Sequence, residues 1–135
     1  MADAPQITSC PLRADEDLPE RLVSWVVHPA RAVLLIHDRQ RYSLRPFAPA
    51  LVDPLTKNVV ALREYCRATG RPTAHTAQRG RMSDMDRRLP KDFWGPALRG
   101  DAADREIVDA LTPGPSDWPF TKWYYSAFLR TDGTS

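Results

Sequence analysis

The sequence predicts an α/β fold, a parallel sheet layered between helices, and three observations carry that prediction. Residues 32–36, Ala-Val-Leu-Leu-Ile, are an unbroken apolar run, which suits a strand covered on both faces. Leu55, Val59, Leu62 and Cys66 then recur at helical spacing, with Gly70 just beyond. A second strand-like stretch near Pro72–Ala77 follows that glycine. Together residues 31–77 read as a β-α-β unit, whose crossover is right-handed by default because of the twist of its strands.

Taken in chain order, residues 1–30 read as an irregular arm plus a short helix near Leu18–Val26, with Trp25 packed on the body. The first strand closes at Asp38, and an acid just past a buried strand sits where open α/β sheets place their ligands. Asp53-Pro54 reads as the start of the crossover helix, since Asp caps orphan amides and Pro is tolerated at the first helical position. Gly70 supplies its left-handed stop. From Gln78 to about Asp101 the chain reads as irregular, longer than the usual connection, and long structured loops are commonly functional. Asp104–Leu111 reads as a short amphipathic helix and Trp118–Thr121 as a third strand, with Lys122 at its carboxyl end.

Composition narrows the class. The 135 residues, 42% hydrophobic and 27% charged, suit one globular domain over residues 1–135. The net charge of +2 rests on 16 Arg and 3 Lys that are dispersed, without the basic stripe of a nucleic-acid binder. No apolar run approaches the ~20 residues of a membrane helix. The start, Met1-Ala-Asp-Ala-Pro5, lacks the pattern of a signal peptide, so a cytoplasmic protein without membrane contact is expected. Cys10 and Cys66 have neither metal nor redox spacing and read as free thiols, and no His- or carboxylate-rich spacing suggests zinc. His37 and His75, in or beside strands, read as satisfied core imidazoles.

Cations and large aromatics concentrate in loop-like sequence at Arg87-Arg88-Leu-Pro-Lys-Asp-Phe-Trp-Gly-Pro96 and Thr121-Lys122-Trp-Tyr-Tyr-Ser-Ala-Phe128. With Asp38 nearby, such segments suit a pocket for a small anion. The excess at Arg79, Arg81, Arg87 and Arg88 reads either as a solvated loop or as carboxylate recognition by guanidinium forks.

Four blocks carry a resemblance: His37-Asp38-Arg-Gln40-Arg-Tyr42, Thr76-Ala-Gln78-Arg-Gly80-Arg-Met82, Lys91-Asp-Phe-Trp-Gly-Pro96 and Thr121 to Phe128. In this order and spacing they resemble the isochorismatase-like hydrolases, in the branch of phenazine-pathway enzymes that cleave 2-amino-2-deoxyisochorismate. The likeness runs from about Ile7 to Asp132. It implies a three-layer αβα Rossmann-like sheet of six parallel strands in the order 3-2-1-4-5-6. This sequence accounts for the first three, so the fold is expected as a truncated form with the first strand at an edge.

The resemblance also implies a chemistry. Hydrolysis of the vinyl ether of isochorismate, or of its 2-amino analogue, begins when an acid protonates the terminal vinyl carbon and water captures the oxocarbenium ion. The products are a dihydro-dihydroxybenzoate-type diol, or dihydro-3-hydroxyanthranilate from the amino analogue, and pyruvate, in phenazine or siderophore-type secondary metabolism. No cofactor or metal is implied. Asp38 would be the general acid, where a strand-end Asp read by itself would cap a loop amide. Lys122 would orient that acid and neutralise a substrate carboxylate. Gln78 and Arg87 would contact the ring substituents and carboxylate, and Gln40, Tyr42 and Trp94 would wall the pocket. Phe93, Trp94 and Tyr42 would shield the acid and favour its proton-bearing form, which Lys122 would oppose. Arg39 stands where the family has an apolar residue, Ser43 where it has an aromatic one, and Tyr124 where arginine is usual.

The expected partner is a small anionic cyclohexadiene carboxylate, with a homodimer or pairing with another chain to cover the open strand edge. A different class competes: a non-catalytic binding module that docks through that edge. Amide hydrolysis of the nicotinamidase kind is disfavoured, because neither cysteine is suitably placed.

Overall fold

A computed structural model describes residues 7–8, 10–20, 22–78, 102–122 and 126–128. Among these residues three strands, β1 (Leu34–His37), β2 (Thr73–Gln78) and β3 (Trp118–Lys122), form one sheet in the order β1-β2-β3. Both pairings are parallel, with His37 opposite Thr76 and Gln78 opposite Lys122. The carboxyl ends of all three strands therefore meet at one side of the sheet. This is the α/β fold expected from the sequence, in the three-strand form.

The central strand is sealed from Thr73 through Thr76. The first strand is not: it begins at Leu34 rather than residue 32, and Val33 and Leu35 stand nearly half exposed. Among the described residues, one flank of β1 has no neighbouring strand in the sheet. The both-faces burial expected of residues 32–36 is thus limited to Ile36, the position aimed into the core.

The crossover helix starts five residues earlier than Asp53-Pro54 suggests. A four-residue helix, α1 (Arg41–Leu44), leads to α2 (Pro49–Ala68), where Pro49 takes the first-turn position. Pro54 is carried inside α2. It has no N–H for the carbonyl of Ala50, and because both residues are exposed that carbonyl can turn to water. The stop is where the glycine places it: Gly70 has φ 69°, Arg71 N–H donates to Cys66 O (2.8 Å) and Gly70 N–H to Arg67 O (3.2 Å). This double closure is the Schellman arrangement, which satisfies the last carbonyls. Cys66 is buried on α2, Leu62 is exposed, and α2 packs on β1, β2 and the turn at Asp109–Leu111, whose Leu111 is fully enclosed.

Two further expectations are corrected. No helix forms among the described residues of 18–26, which are flanked by single 3₁₀ turns at Asp15–Asp17 and Pro29–Arg31, and Trp25 is 73% exposed. Pro19, Val23 and Val26 are poor helix formers, and the stretch is too short to hold a helix without a packing face. The segment 104–111 divides into α3 (Ala102–Arg105) and the Asp109–Leu111 turn. Between them the backbone bridges to the turn after β1: Arg41 N–H donates to Glu106 O and Val108 N–H to Arg39 O, both at 3.0 Å. Ion pairs Arg41–Asp109 (2.6 Å) and Arg45–Asp104 tie α1 to the same segment.

Candidate active site

Asp38 is the first residue past β1, and its backbone is left-handed, with φ 47°. Asp is one of the few L residues that visit this region without severe strain. The twist ends the strand, while Asp38 N–H still donates to Thr76 O (3.0 Å) on the neighbouring strand. The side chain of Asp38, 22% exposed, is held from two sides. Thr76 Oγ1–H donates to Oδ1 (3.1 Å), and the Lys122 ammonium, itself almost wholly enclosed, donates to Oδ2. An acid and a cation from opposite edge strands thus meet across β2.

His37 extends this cluster. Its Nδ1 lies 2.7 Å from Thr76 Oγ1, and its Nε2 lies 3.4 Å from Asp38 Oδ2, with the side chain 51% exposed. The sequence reading of His37 as a core imidazole is therefore corrected: it has polar partners but sits at the rim. Neither His37 nor Thr76 was singled out as a partner of the acid. The signal existed in the two-residue alternation that puts Thr76 and Gln78 on one face of β2, but the register that brings His37 opposite Thr76 leaves no local trace.

Gln40 is buried, and its amide is committed to main chain. Nε2 donates to Gln78 O (2.9 Å) and Arg105 O (2.6 Å), while Oε1 accepts from Gln78 N–H (2.7 Å). This side chain continues the sheet's hydrogen bonding past the end of β1 and fixes the backbone of Gln78. Gln78 itself closes β2 beside Lys122. Tyr42 is half-buried on α1 with Ser43, whose N–H donates to Gln40 O (3.0 Å). Arg87, Trp94, Phe93 and Tyr124 lie outside the described residues. So the structure brings together Asp38, Lys122 and the Gln40–Gln78 pair.

The second histidine differs. His75 faces the interior, with Nε2 3.3 Å from Asp117 Oδ2 but without hydrogen-bond geometry, so neither ring nitrogen has a hydrogen-bond partner among the described residues. Burial pushes its pKa below the usual 6.5, Asp117 pulls it back up, and Arg63 adds a further lowering. It is a core imidazole as read, but an unsatisfied one. Cys66 lies near the amino end of β2, away from Asp38, and Cys10 is exposed. Among the described residues, no three His, Cys, Asp or Glu side chains gather as a metal would require.

A parallel sheet whose carboxyl ends gather an acid, a lysine and polar side chains is a ligand-binding arrangement of open α/β proteins. A family model described as the isochorismatase domain matches residues 32–134. The chain belongs to the isochorismatase family. It is 49% identical over 132 residues to a probable isochorismatase of Pseudomonas chlororaphis, covering 98% of this chain and 64% of that protein. The same figures hold for a phenazine biosynthesis protein of Pseudomonas aeruginosa. The chain thus spans somewhat under two thirds of the length of these relatives. In fold it matches a cysteine hydrolase from Pseudomonas syringae, with TM-score 0.67 and 22% identity over 85% of this chain and 57% of that one.

Proposed function

We propose that this chain carries the ether-hydrolysing site of an isochorismatase, acting on isochorismate or 2-amino-2-deoxyisochorismate in a cytoplasmic step of secondary metabolism. The observation that carries the reading is the Asp38–Lys122 pair at the carboxyl ends of β1 and β3. The names of the relatives support the substrate class.

Asp38, in its proton-bearing form, protonates the terminal carbon of the vinyl ether, and water captures the resulting oxocarbenium ion. The hemiketal then collapses to pyruvate and the dihydro-diol or amino-alcohol. Lys122 holds the carboxyl in place and neutralises a substrate carboxylate. Gln78 and Arg87 clamp the substrate, and Tyr42 and Trp94 wall it. Gln40 acts from behind, holding the Gln78 main chain. Incubating the pure chain with each substrate and measuring pyruvate tests the reading. Absence of pyruvate at high protein concentration from both substrates overturns it.

One observation favours a second reading. Among the described residues no strand covers the flank of β1, Val33 and Leu35 are exposed, and the strand carries no Pro or Lys to blunt it. A binding module pairing there with another chain would form a stable complex that protects residues 34–37 from hydrogen exchange and shows no turnover. A monomer by light scattering removes this alternative.

A further inference from the structure

The geometry points to a proton relay that reloads Asp38 between turnovers, running from solvent through the His37 imidazole and the Thr76 hydroxyl to Asp38 Oδ1. The inference rests on the proposed ether hydrolysis and assigns its proton supply.

A general acid that gives its proton to carbon leaves that proton in a stable C–H bond, so it must be recharged before it acts again. The Asp38 side chain is 22% exposed, and its Oδ2 is taken up by the Lys122 ammonium, so Oδ1 is the oxygen through which the proton returns. Oδ1 faces Thr76 Oγ1 at 3.1 Å, and Thr76 is 3% exposed. A hydroxyl carries one hydrogen. When it donates to Oδ1, its oxygen is left to accept, and His37 Nδ1 at 2.7 Å is in position to donate to it. The imidazole is half exposed and can exchange protons with water. Buried hydroxyl, rim imidazole and carboxyl are thus in hydrogen-bond series. The charged groups facing His37 among the described residues are Asp38, with Nε2 3.4 Å from Oδ2, and beyond it Lys122.

The steps balance. Proton transfer from Asp38 to the vinyl carbon makes the C–H bond from the π pair and leaves Asp38 a carboxylate. Water adds to the oxocarbenium ion and releases one proton to solvent, and the hemiketal breaks its ether C–O bond as its hydroxyl proton passes to the departing alcohol. A proton from solvent then makes His37 an imidazolium. Its Nδ1 proton moves to Thr76 Oγ1 as the Thr76 hydroxyl proton moves to Oδ1. His37 ends neutral, Thr76 keeps a hydroxyl, and Asp38 is reloaded.

His37 and Thr76 are positioning residues for the acid, so the test needs a readout that packing would not move. Pyruvate release by the full chain is compared for the parent, Thr76→Val, Thr76→Ser, His37→Ala and Asp38→Asn. Thr76→Val should lower kcat by about tenfold, less than the ~10²–10⁴-fold of a group that gives its proton to substrate, with KM little changed. Thr76→Ser should restore the rate, and free imidazole should rescue His37→Ala. Thr76→Val at the parent rate, or His37→Ala unmoved by imidazole, overturns the relay while leaving the hydrolysis reading intact. Should Thr76→Val not fold, the half-exposed His37→Ala decides alone. Asp38→Asn at the parent rate, or a parent without turnover, overturns the hydrolysis reading and the relay with it. By 15N NMR the His37 Nδ1 signal should shift in Thr76→Val and stay near the parent's in Thr76→Ser, and an unchanged signal in Thr76→Val counts against the series of bonds.

Discussion

Two carboxylates of this sheet each face a cation-forming side chain, and they live in opposite circumstances. Asp117 and His75 are enclosed, with side-chain exposures of 8% and 1%, and Asp117 also accepts the Gly114 N–H (2.8 Å), closing the turn into β3. Asp38 and Lys122 lie at the carboxyl ends, where the lysine is enclosed but the acid keeps access to water. The enclosed pair can only hold structure, since nothing can reach it. The open pair is held as firmly from behind, yet presents an acid at the mouth of the sheet. Position along the strands, more than residue type, separates a structural pair from a reactive one.

The sharpest way to break that comparison is Asp38→Asn. Pyruvate release per folded molecule should fall by about 10²–10⁴-fold, the contribution typical of a general acid, with some loss of melting temperature because the enclosed Lys122 loses its counter-charge. A large loss of stability without loss of rate would reverse the roles assigned to the two pairs. Asp117→Ala is the converse test. It removes both the carboxylate beside His75 and the acceptor for Gly114, so urea unfolding should show a loss of about 2–3 kcal/mol. Its rate per folded molecule should stay near the parent's.

Acidity offers a third test. Burial holds the pKa of His75 below 6.5, so as pH falls below that value the unfolded chain takes up a proton that the folded chain refuses. The unfolded state then binds more protons, and stability falls toward acid by at most about 1.4 kcal/mol per pH unit from this group. The effect should vanish in His75→Leu, and a parent-like slope in that variant would remove His75 as its source. Smallest is Gly70→Ala: nothing crowds the position, so only the left-handed φ of 69° opposes it, at about 1 kcal/mol in thermal unfolding.

Much of the scaffold was legible because its signals are local. The apolar run ending at Ile36, the helical spacing through Cys66, the glycine at 70 and the short strand before Lys122 each show within a few neighbours. The helix start was misread because two prolines compete, and Asp53-Pro54 looked the better cap although Pro49 takes the first turn. Contacts across long sequence separations were hidden. Gln40 reads as a pocket residue until its amide is seen spanning Gln78 and Arg105, and the pairing of 39–41 with 106–108 has no periodic signature. The same holds for His37 and Thr76, neighbours only through strand register.

The left-handed backbone at Asp38 limits what mutagenesis or evolution can try there. Asparagine and glycine accept that twist, whereas alanine or glutamate must strain the chain or unwind the strand end. Removing charge while keeping shape is therefore easy at this site. Moving the acid by one methylene is not, and a glutamate variant would report on main-chain geometry before it reported on chemistry.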